Sequence, residues 1–304
     1  MKKSKLSGII SVIAIVGIAA LAFWFATLPP SPLPPEPKWV KVRPLPEQQS
    51  EQPSGAGDEK AQPEAQVAAT IAPPEIIVPK GHKPEIAIVI DDMGLNLAGS
   101  RRAIELPAYV TLSFMPYAER LKDQTEAARD NGHELLLHMP MEPIGHDDPG
   151  PGALFTSLPP AEVQARLEKA LASFSDFDGI NNHMGSKFTA DEAGMEIVVD
   201  ELKKRRLFFL DSRTSAKTVG YAVARTHNLP AINRDVFLDD DMSPAAIKMQ
   251  LDETERIARH KGYAVAIGHP HDQTLQALEA WLPDAEERGF ALVPLHDLVR
   301  GEGQ

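Results

Sequence analysis

Cysteine is absent from all 304 residues of the chain, and this absence narrows the kinds of site that the protein can hold. A chain without thiols can form neither a disulfide framework nor a thiolate metal site or nucleophile. The motif Gly-x-Ser-x-Gly is also missing, which disfavours a serine hydrolase. The formal net charge is −12 at pH 7, with the excess of acid in residues 81–304, so nucleic acid is a poor partner for this protein.

The first 28 residues have the pattern of a membrane segment. Lys2, Lys3 and Lys5 precede residues 6–28, which are uncharged and rich in Ile, Val, Ala and Phe. About 20 apolar residues are long enough to span a bilayer, and the basic flank should remain in the cytoplasm. We therefore expect a retained anchor in the inner membrane, with a cleaved signal segment as the alternative, and the remaining chain on the periplasmic side.

Residues 29–80 are predicted to be a disordered linker. They contain 13 of the chain's 27 prolines, with Gln, Glu and Ala between them. Such a segment cannot bury enough apolar surface to offset the entropy lost on ordering, and its prolines keep it extended. We expect it to tether a folded domain, residues 81–304, to the membrane.

From residue 84 onward, apolar runs alternate with helical patterns, which is typical of a β/α fold. Eight runs have the composition of strands: residues 85–90, 108–114, 134–137, 179–182, 207–210, 231–237, 263–267 and 290–293. Helix signals lie between most of them, including a capping box at residues 189–192 before a helix over 195–206, and Ser243-Pro244 at the start of a helix that ends at Lys261. Seven or eight such units predict a closed or nearly closed β/α barrel, with a doubly wound open sheet as the alternative.

Polar residues of similar chemistry follow five of these strands. They are Asp91 and Asp92 after the first strand, His138 with Glu142 four residues on, His183, Asp211 and His269. In a β/α barrel, all these positions surround the same carboxyl-terminal face. Because neighbouring side chains of a strand point to opposite sides, we expect one Asp of the pair to face a metal and the other to face the substrate.

These residue types point to metal-assisted hydrolysis. Without cysteine, a Zn²⁺ site would use His nitrogen and carboxylate oxygen, and three protein ligands plus water make a catalytic site. Three residues provide such a set: Asp92, His138 and His183. Asp91 could then accept the proton of the water, and His269 could protonate the leaving group. Asp211 is expected to contact a base or a metal ligand and orient it, without binding the metal itself.

Five short motifs occur in order between residues 84 and 300. They are Asp91-Asp92 after an apolar strand, GHELLLHMPMEP at 132–143, NNHMGS at 181–186, FFLDSR at 208–213 and IGHP at 267–270. Together they resemble the divergent polysaccharide deacetylase family of bacterial envelopes. The resemblance implies a distorted β/α barrel related to metal-dependent sugar N-deacetylases, with Asp91 as the base and Asp92 as a metal ligand.

Two features depart from the parent deacetylases. Their second motif has two His four residues apart, and here Glu142 stands in the place of the second. Their Arg-Pro-Pro segment is replaced by residues 181–187, which contribute His183. Two function classes remain: a metal-dependent N-deacetylase of an acetylated envelope polysaccharide such as peptidoglycan, and a metal- or glycan-binding envelope protein without turnover. The presence of both Asp91 and His269 favours the first class, since a binding module needs no acid and base.

Overall fold

Strands and helices alternate along residues 82–301, the part of the chain that the structure, a computed structural model, describes. The strands are β1 (Glu85–Met93), β2 (Thr111–Phe114), β3 (Leu135–Met141), β4 (Gly179–Met184), β5 (Phe208–Asp211), β6 (Ala231–Asn233), β7 (Val236–Phe237), β8 (Tyr263–Gly268) and β9 (Ala291–Leu292). The helices are α1 (Leu97–Ile104), α2 (Leu121–Asp130), α3 (Pro160–Leu171), α4 (Glu192–Arg205), α5 (Gly220–Thr226), α6 (Pro244–Lys261), α7 (Asp272–Glu287) and α8 (Leu295–Gly301). The predicted membrane segment, 1–28, and the predicted linker, 29–80, lie outside the described residues. Within those described, no helix is both long and apolar enough to cross a bilayer.

All the strand pairs are parallel, and the sheet curls back on itself. Eight strands follow the order β6-β5-β4-β3-β2-β1-β8-β7, and β9 pairs with β1 outside this path. The two ends of the path, β6 and β7, are joined only by Arg234 and Asp235. Because each residue advances the chain by at most about 3.6 Å, the end of β6 at Asn233 lies within about 11 Å of the start of β7 at Val236. The predicted distorted β/α barrel is therefore confirmed, with its opening between β6 and β7.

One predicted strand, residues 231–237, is in fact two strands at opposite ends of the sheet. Asp235 lies in the break, where its carboxylate accepts a hydrogen bond from the Val265 main-chain nitrogen at 2.9 Å and pairs with Lys261 Nζ at 3.1 Å. These contacts to β8 and α6 draw the chain away from β5. The break therefore follows from tertiary contacts that the apolar pattern does not reveal.

The helix boundaries agree with the sequence at one site and differ at another. Ser243 accepts a hydrogen bond from the Ala246 main-chain nitrogen, and α6 runs from Pro244 to Lys261 as predicted. The predicted capping box at residues 189–192 does not form. The N-cap of α4 is Asp191, whose side chain accepts from the Gly194 nitrogen, because residues 188–190 form a 3₁₀ turn instead.

Alternation along the strands separates an inner core from an outer one. Ala87 and Val89 of β1 point into the barrel, whereas Ile86, Ile88 and Ile90 pack outward against helices. The inner core also contains Leu136, Phe208, Leu210, Ile232, Val265 and Ile267, and the α8 residues Leu295, Leu298 and Val299 pack against it. Each buried Val, Leu, Ile or Phe side chain of this core contributes roughly 1.5–3 kcal/mol relative to its exposed state. The inner residues thus hold a rigid base beneath the carboxyl ends of the strands.

Candidate active site

The inward-facing positions of the strands end in polar side chains. Val89, Leu136 and Ile267 all point into the barrel. The residue two positions after each of them is an acid in the first case and a histidine in the other two. These residues are Asp91, His138 and His269, and His183 of β4 joins them. All four line one cleft of about 460 Å³. The strand pattern thus explains why residues far apart in sequence meet at this mouth of the barrel.

Asp92 reaches the same place through an irregularity in β1. The pairing of β1 with β2 shifts between Ile90 and Met93, and Asp92 has a left-handed backbone with φ +55°. Asp tolerates this conformation better than most residues. Asp91 Oδ2 and Asp92 Oδ1 consequently lie 3.6 and 3.3 Å from His138 Nε2. The expectation that the two carboxylates face opposite sides of the strand was wrong, because the irregularity brings both to one imidazole.

Three ligand atoms form a triangle of the size that a metal ion requires. His138 Nε2 lies 3.3 Å from Asp92 Oδ1, His183 Nδ1 lies 2.8 Å from the same oxygen, and the two nitrogens are 3.3 Å apart. Tetrahedral bonds of about 2.0–2.1 Å separate two ligand atoms by roughly 3.3–3.4 Å. Asp92 Oδ1 is also buried without a well-aligned hydrogen bond. The three residues can therefore hold a metal ion, which would satisfy this oxygen.

Asn181 joins Asp91 to the imidazole of His138. Its Nδ2 donates to both carboxylate oxygens of Asp91 at 2.8 and 2.9 Å, and its Oδ1 accepts from His138 Nδ1 at 2.8 Å. The hydroxyls of two further residues complete its contacts: Ser113 and Ser212. Since Asn181 Oδ1 is an acceptor, the proton of His138 sits on Nδ1, and Nε2 keeps its lone pair for a metal. The sequence showed Asn181 only as part of a motif, although its register opposite His138 marks it as inward-facing.

The two carboxylates of β1 differ in their electrostatic environment. Burial raises the pKa of Asp91, although His138, His269 and the Asn181 amide partly offset this effect. Burial would also raise the pKa of Asp92, but its contacts with the imidazoles of His138 and His183 outweigh burial and lower that pKa. Asp91 is therefore the stronger base of the pair, and Asp92 stays anionic, as a metal ligand must.

His269 is oriented by Asp239, a residue that the sequence analysis did not single out. Asp239 Oδ1 lies 2.9 Å from His269 Nδ1, and Asp239 Oδ2 accepts from the His269 main-chain nitrogen at 2.7 Å. Burial would lower the pKa of His269, but Asp239 and the two carboxylates of β1 raise it to about 9. His269 is therefore a cation at neutral pH, held by its Nδ1 proton, so that Nε2 carries the second proton.

Asp239, His269 and His271 form a second group of close ligand atoms in the described residues. Here both oxygens of Asp239 already accept hydrogen bonds, since Thr274 Oγ1 donates to Oδ2 at 2.8 Å. No oxygen of this carboxylate is left unsatisfied, in contrast to Asp92. We therefore assign this group to the orientation of His269.

The structure places Glu142 outside the triangle of ligand atoms. One of its oxygens accepts from the Thr156 nitrogen and hydroxyl, both at 2.7 Å, and the other pairs with Lys187 Nζ at 2.7 Å. Burial would raise the pKa of Glu142, but Lys187 and Thr156 lower it. Glu142 thus ties the segment after β3 to the segment after β4, and the position of a second His ligand is used for a structural ion pair.

Asp211 also lies apart from the cluster. Its Oδ2 accepts from Thr218 Oγ1 at 2.8 Å and from the Tyr221 nitrogen at 3.1 Å, which fixes the turn before α5. The physical reason is strand alternation, because Phe209 packs into the outer core and Asp211 continues on that side. The contacts expected of Asp211, those that orient a base or a ligand, are made instead by Asn181 and Asp239.

Comparison with known proteins agrees with the fold and with the motifs. Residues 88–299 match the family described as divergent polysaccharide deacetylase. An uncharacterized protein of Haemophilus influenzae is 34% identical over 218 residues, which cover 72% of this chain and 78% of that protein. The uncharacterized protein YibQ of Escherichia coli is 33% identical over 195 residues, which cover 64% of this chain and 61% of YibQ.

A solved structure gives the same result in three dimensions. The crystal structure of an uncharacterized protein from Agrobacterium tumefaciens C58 is 34% identical and superposes with a TM-score of 0.70, covering 72% of this chain and 90% of that one. The family match spans more than half of the chain and includes every residue of the cleft described above. The chain belongs to the divergent polysaccharide deacetylase family.

Proposed function

We propose that the protein is a metal-dependent N-deacetylase of an acetylated envelope polysaccharide. One observation carries the proposal: two of the three possible metal ligands, His138 and His183, line a single cleft together with Asp91, whose pKa is raised by burial, and His269, whose pKa is raised to about 9. Hydrolysis of an acetamido group requires these parts, because a water must be activated and a poor nitrogen leaving group must be protonated. A protein that only binds a glycan has no use for the pair of Asp91 and His269.

Zinc suits the ligand set best. Two imidazole nitrogens and one carboxylate oxygen, without any thiolate, are ligands typical of catalytic Zn²⁺ sites. When bound by Asp92, His138 and His183, Zn²⁺ would polarise the acetyl carbonyl and lower the pKa of water. The cleft above the triangle is large enough for a sugar residue, since pockets for small ligands begin at about 300 Å³.

The protein's own residues move the protons of the reaction. Asp91 accepts a proton from the attacking water, and Asn181 holds both carboxylate oxygens in place for this step. His269 donates its Nε2 proton to the departing nitrogen, so that the sugar leaves as an amine and the acyl group as acetate. Asp239 accepts a hydrogen bond from Nδ1 of His269, so the proton on Nε2 is the one that His269 can donate to the substrate.

The test is acetate release from N-acetylglucosamine oligosaccharides by the full-chain protein. Zinc-loaded protein should release one acetate for each free amine formed, and protein treated with a chelator should release none. Binding of zinc and glycan without any acetate would reject the enzyme and leave the alternative, an envelope protein that binds without turnover.

The rate should fall at alkaline pH, and Asp239→Asn should move that fall to lower pH. His269 acts as an acid only while protonated, and the charge of Asp239 holds its pKa near 9. Loss of one adjacent anion typically shifts a pKa by about 1–3 units, so the alkaline limb should move down by at least about one unit. The measurement is a profile of kcat against pH for both proteins. An unchanged limb would show that His269 is not the acid.

We also propose that the deacetylase domain works on the periplasmic side of the inner membrane. The support is the sequence alone: three lysines precede the uncharged residues 6–28, and the proline-rich residues 29–80 can act as a spacer. A fusion after Gln304 to a reporter that is active only outside the cytoplasm should be active. Activity restricted to a cytoplasmic reporter would reject this topology.

A further inference from the structure

One wall of the cleft carries two arginines that the proposed hydrolysis does not use. Arg213 follows β5, Arg234 follows β6, and both line the cleft together with Asp91 and His269. Within residues 82–301, neither guanidinium makes an ion pair with a carboxylate. Two cations on one wall without a salt bridge are costly, because like charges repel one another.

Arg234 is held rigidly in this position. Its Nε donates to the Ser212 carbonyl at 2.6 Å and its Nη2 to the Arg213 carbonyl at 2.9 Å, while the guanidinium lies 3.6 Å from the centre of the Phe237 ring. Burial and the nearby Arg213 together lower the pKa of Arg234 to about 10, although Asp240 and other acids act to raise it. The group therefore remains charged at neutral pH, and its Nη1 has no hydrogen-bond partner among the described residues.

Arg213 is positioned by its backbone. It has a left-handed conformation with φ +48°, and its nitrogen donates to Asp211 Oδ1 at 2.9 Å. This backbone conformation is uncommon in a residue with a side chain, and residues strained in this way occur preferentially at functional sites. The side chain is exposed and makes no hydrogen bond within the described residues, so it is free to contact a ligand in the cleft.

The distance to the acid relates this wall to the reaction centre. The Phe237 ring, which contacts the Arg234 guanidinium on one side, also stacks on His269, with 6.3 Å between the ring centres and 22° between the ring planes. The Arg234 guanidinium carbon lies 3.6 Å from the Phe237 centre, so it is at most the sum of these distances, 9.9 Å, from the His269 ring. One sugar residue or two neighbouring residues can span this separation.

We propose that Arg213 and Arg234 form a subsite for a carboxylate carried by the glycan, on the same sugar as the acetamido group or on its neighbour. Guanidinium groups bind carboxylates through paired, charge-assisted hydrogen bonds, and both side chains have free N–H groups here. Asp240, which lines the same cleft, is exposed and not bonded to either arginine, so it leaves these groups available. The inference rests on the proposed deacetylase function and specifies its substrate class as acidic glycans.

The experiment compares two substrates with the zinc-loaded, full-chain protein. One is a neutral oligosaccharide of N-acetylglucosamine, and the other is an oligosaccharide of equal length in which N-acetylmuramic acid alternates with N-acetylglucosamine and supplies carboxylates. Charge-assisted hydrogen bonds are worth about 1.5–3 kcal/mol, so kcat/KM should favour the acidic substrate by about 10- to 100-fold. Arg213→Gln should remove most of this preference, because kcat/KM for the acidic substrate should fall much more than kcat/KM for the neutral one. Lys217→Gln removes the same charge from an exposed position on the same loop and should keep the preference.

Equal kcat/KM for the two substrates, or an equal loss on both in Arg213→Gln, would overturn the subsite while the deacetylase proposal stands. If neither substrate is deacetylated, the proposed function fails, and calorimetry then decides the subsite separately. The subsite requires tighter binding of the acidic oligosaccharide and its loss in Arg213→Gln. Equal binding of the two oligosaccharides, or binding of neither, would overturn it.

Discussion

Asp91→Asn should reduce turnover by about 10²- to 10⁴-fold while the protein keeps its metal. The magnitude is that of losing a general base, because an amide cannot accept the proton of the water. The substitution is nearly isosteric, it removes a charge that burial disfavours, and the remaining amide oxygen can still accept from Asn181 Nδ2, so the chain should fold. The metal should remain bound, since Asp91 is not one of the three residues that supply the ligand atoms. The measurement is kcat for acetate release together with zinc content per chain.

The matched control for this variant is Asp240→Asn. It makes the same chemical change to an exposed carboxylate that lines the same cleft. We expect zinc content to be unchanged in both variants and the large loss of kcat in Asp91→Asn alone. A similar loss of kcat in both would mean that negative charge in the cleft matters in general and that Asp91 is not the base.

Asp92→Asn should lose the metal itself. A neutral amide replaces the only anionic ligand of the triangle, and we expect zinc affinity to fall by more than about 100-fold, beyond the 10- to 100-fold typical of outer contacts. Asn tolerates a left-handed backbone as well as Asp does, so φ +55° at this position should be retained. Competition for zinc with a chromophoric chelator measures the effect.

Two further variants separate ligand loss from loss of the acid. His138→Ala should weaken zinc binding as Asp92→Asn does, whereas His269→Ala should leave it intact, because Asp239 rather than a metal holds His269. Unaltered zinc affinity in Asp92→Asn would contradict the ligand set. Loss of zinc in His269→Ala would instead place the metal at Asp239, His269 and His271.

The sequence predicted those features that follow from strand alternation and residue type. Apolar runs gave the strands, and the polar residues directly after them, such as His138 and His269, proved to line one cleft. The same alternation explains the position of Asp211. An inward-facing residue lies two positions after another inward-facing residue, but Asp211 lies two positions after Phe209, which packs into the outer core. That distinction needs the strand register, which the sequence alone left open.

Other features depend on contacts between distant segments. The inward turn of Asp92 arises from a pairing irregularity in β1, and the split between β6 and β7 arises from the bonds of Asp235 to β8 and α6. Asn181 and Asp239 were missed as positioning residues because an amide or a carboxylate gains that role only through its partner across the sheet. The replacement of a second His by Glu142 was visible in the sequence, but its pairing with Lys187 was not.

Titration of the metal-free, full-chain protein with zinc is the most direct test of the proposal that the protein is a metal-dependent deacetylase. Acetate release from an N-acetylated oligosaccharide should rise linearly with added zinc and reach its plateau at one ion per chain, because the described residues offer one triangle with an unsatisfied buried oxygen. Metal-free protein that already releases acetate at the plateau rate, or zinc-saturated protein that releases none, would contradict the account.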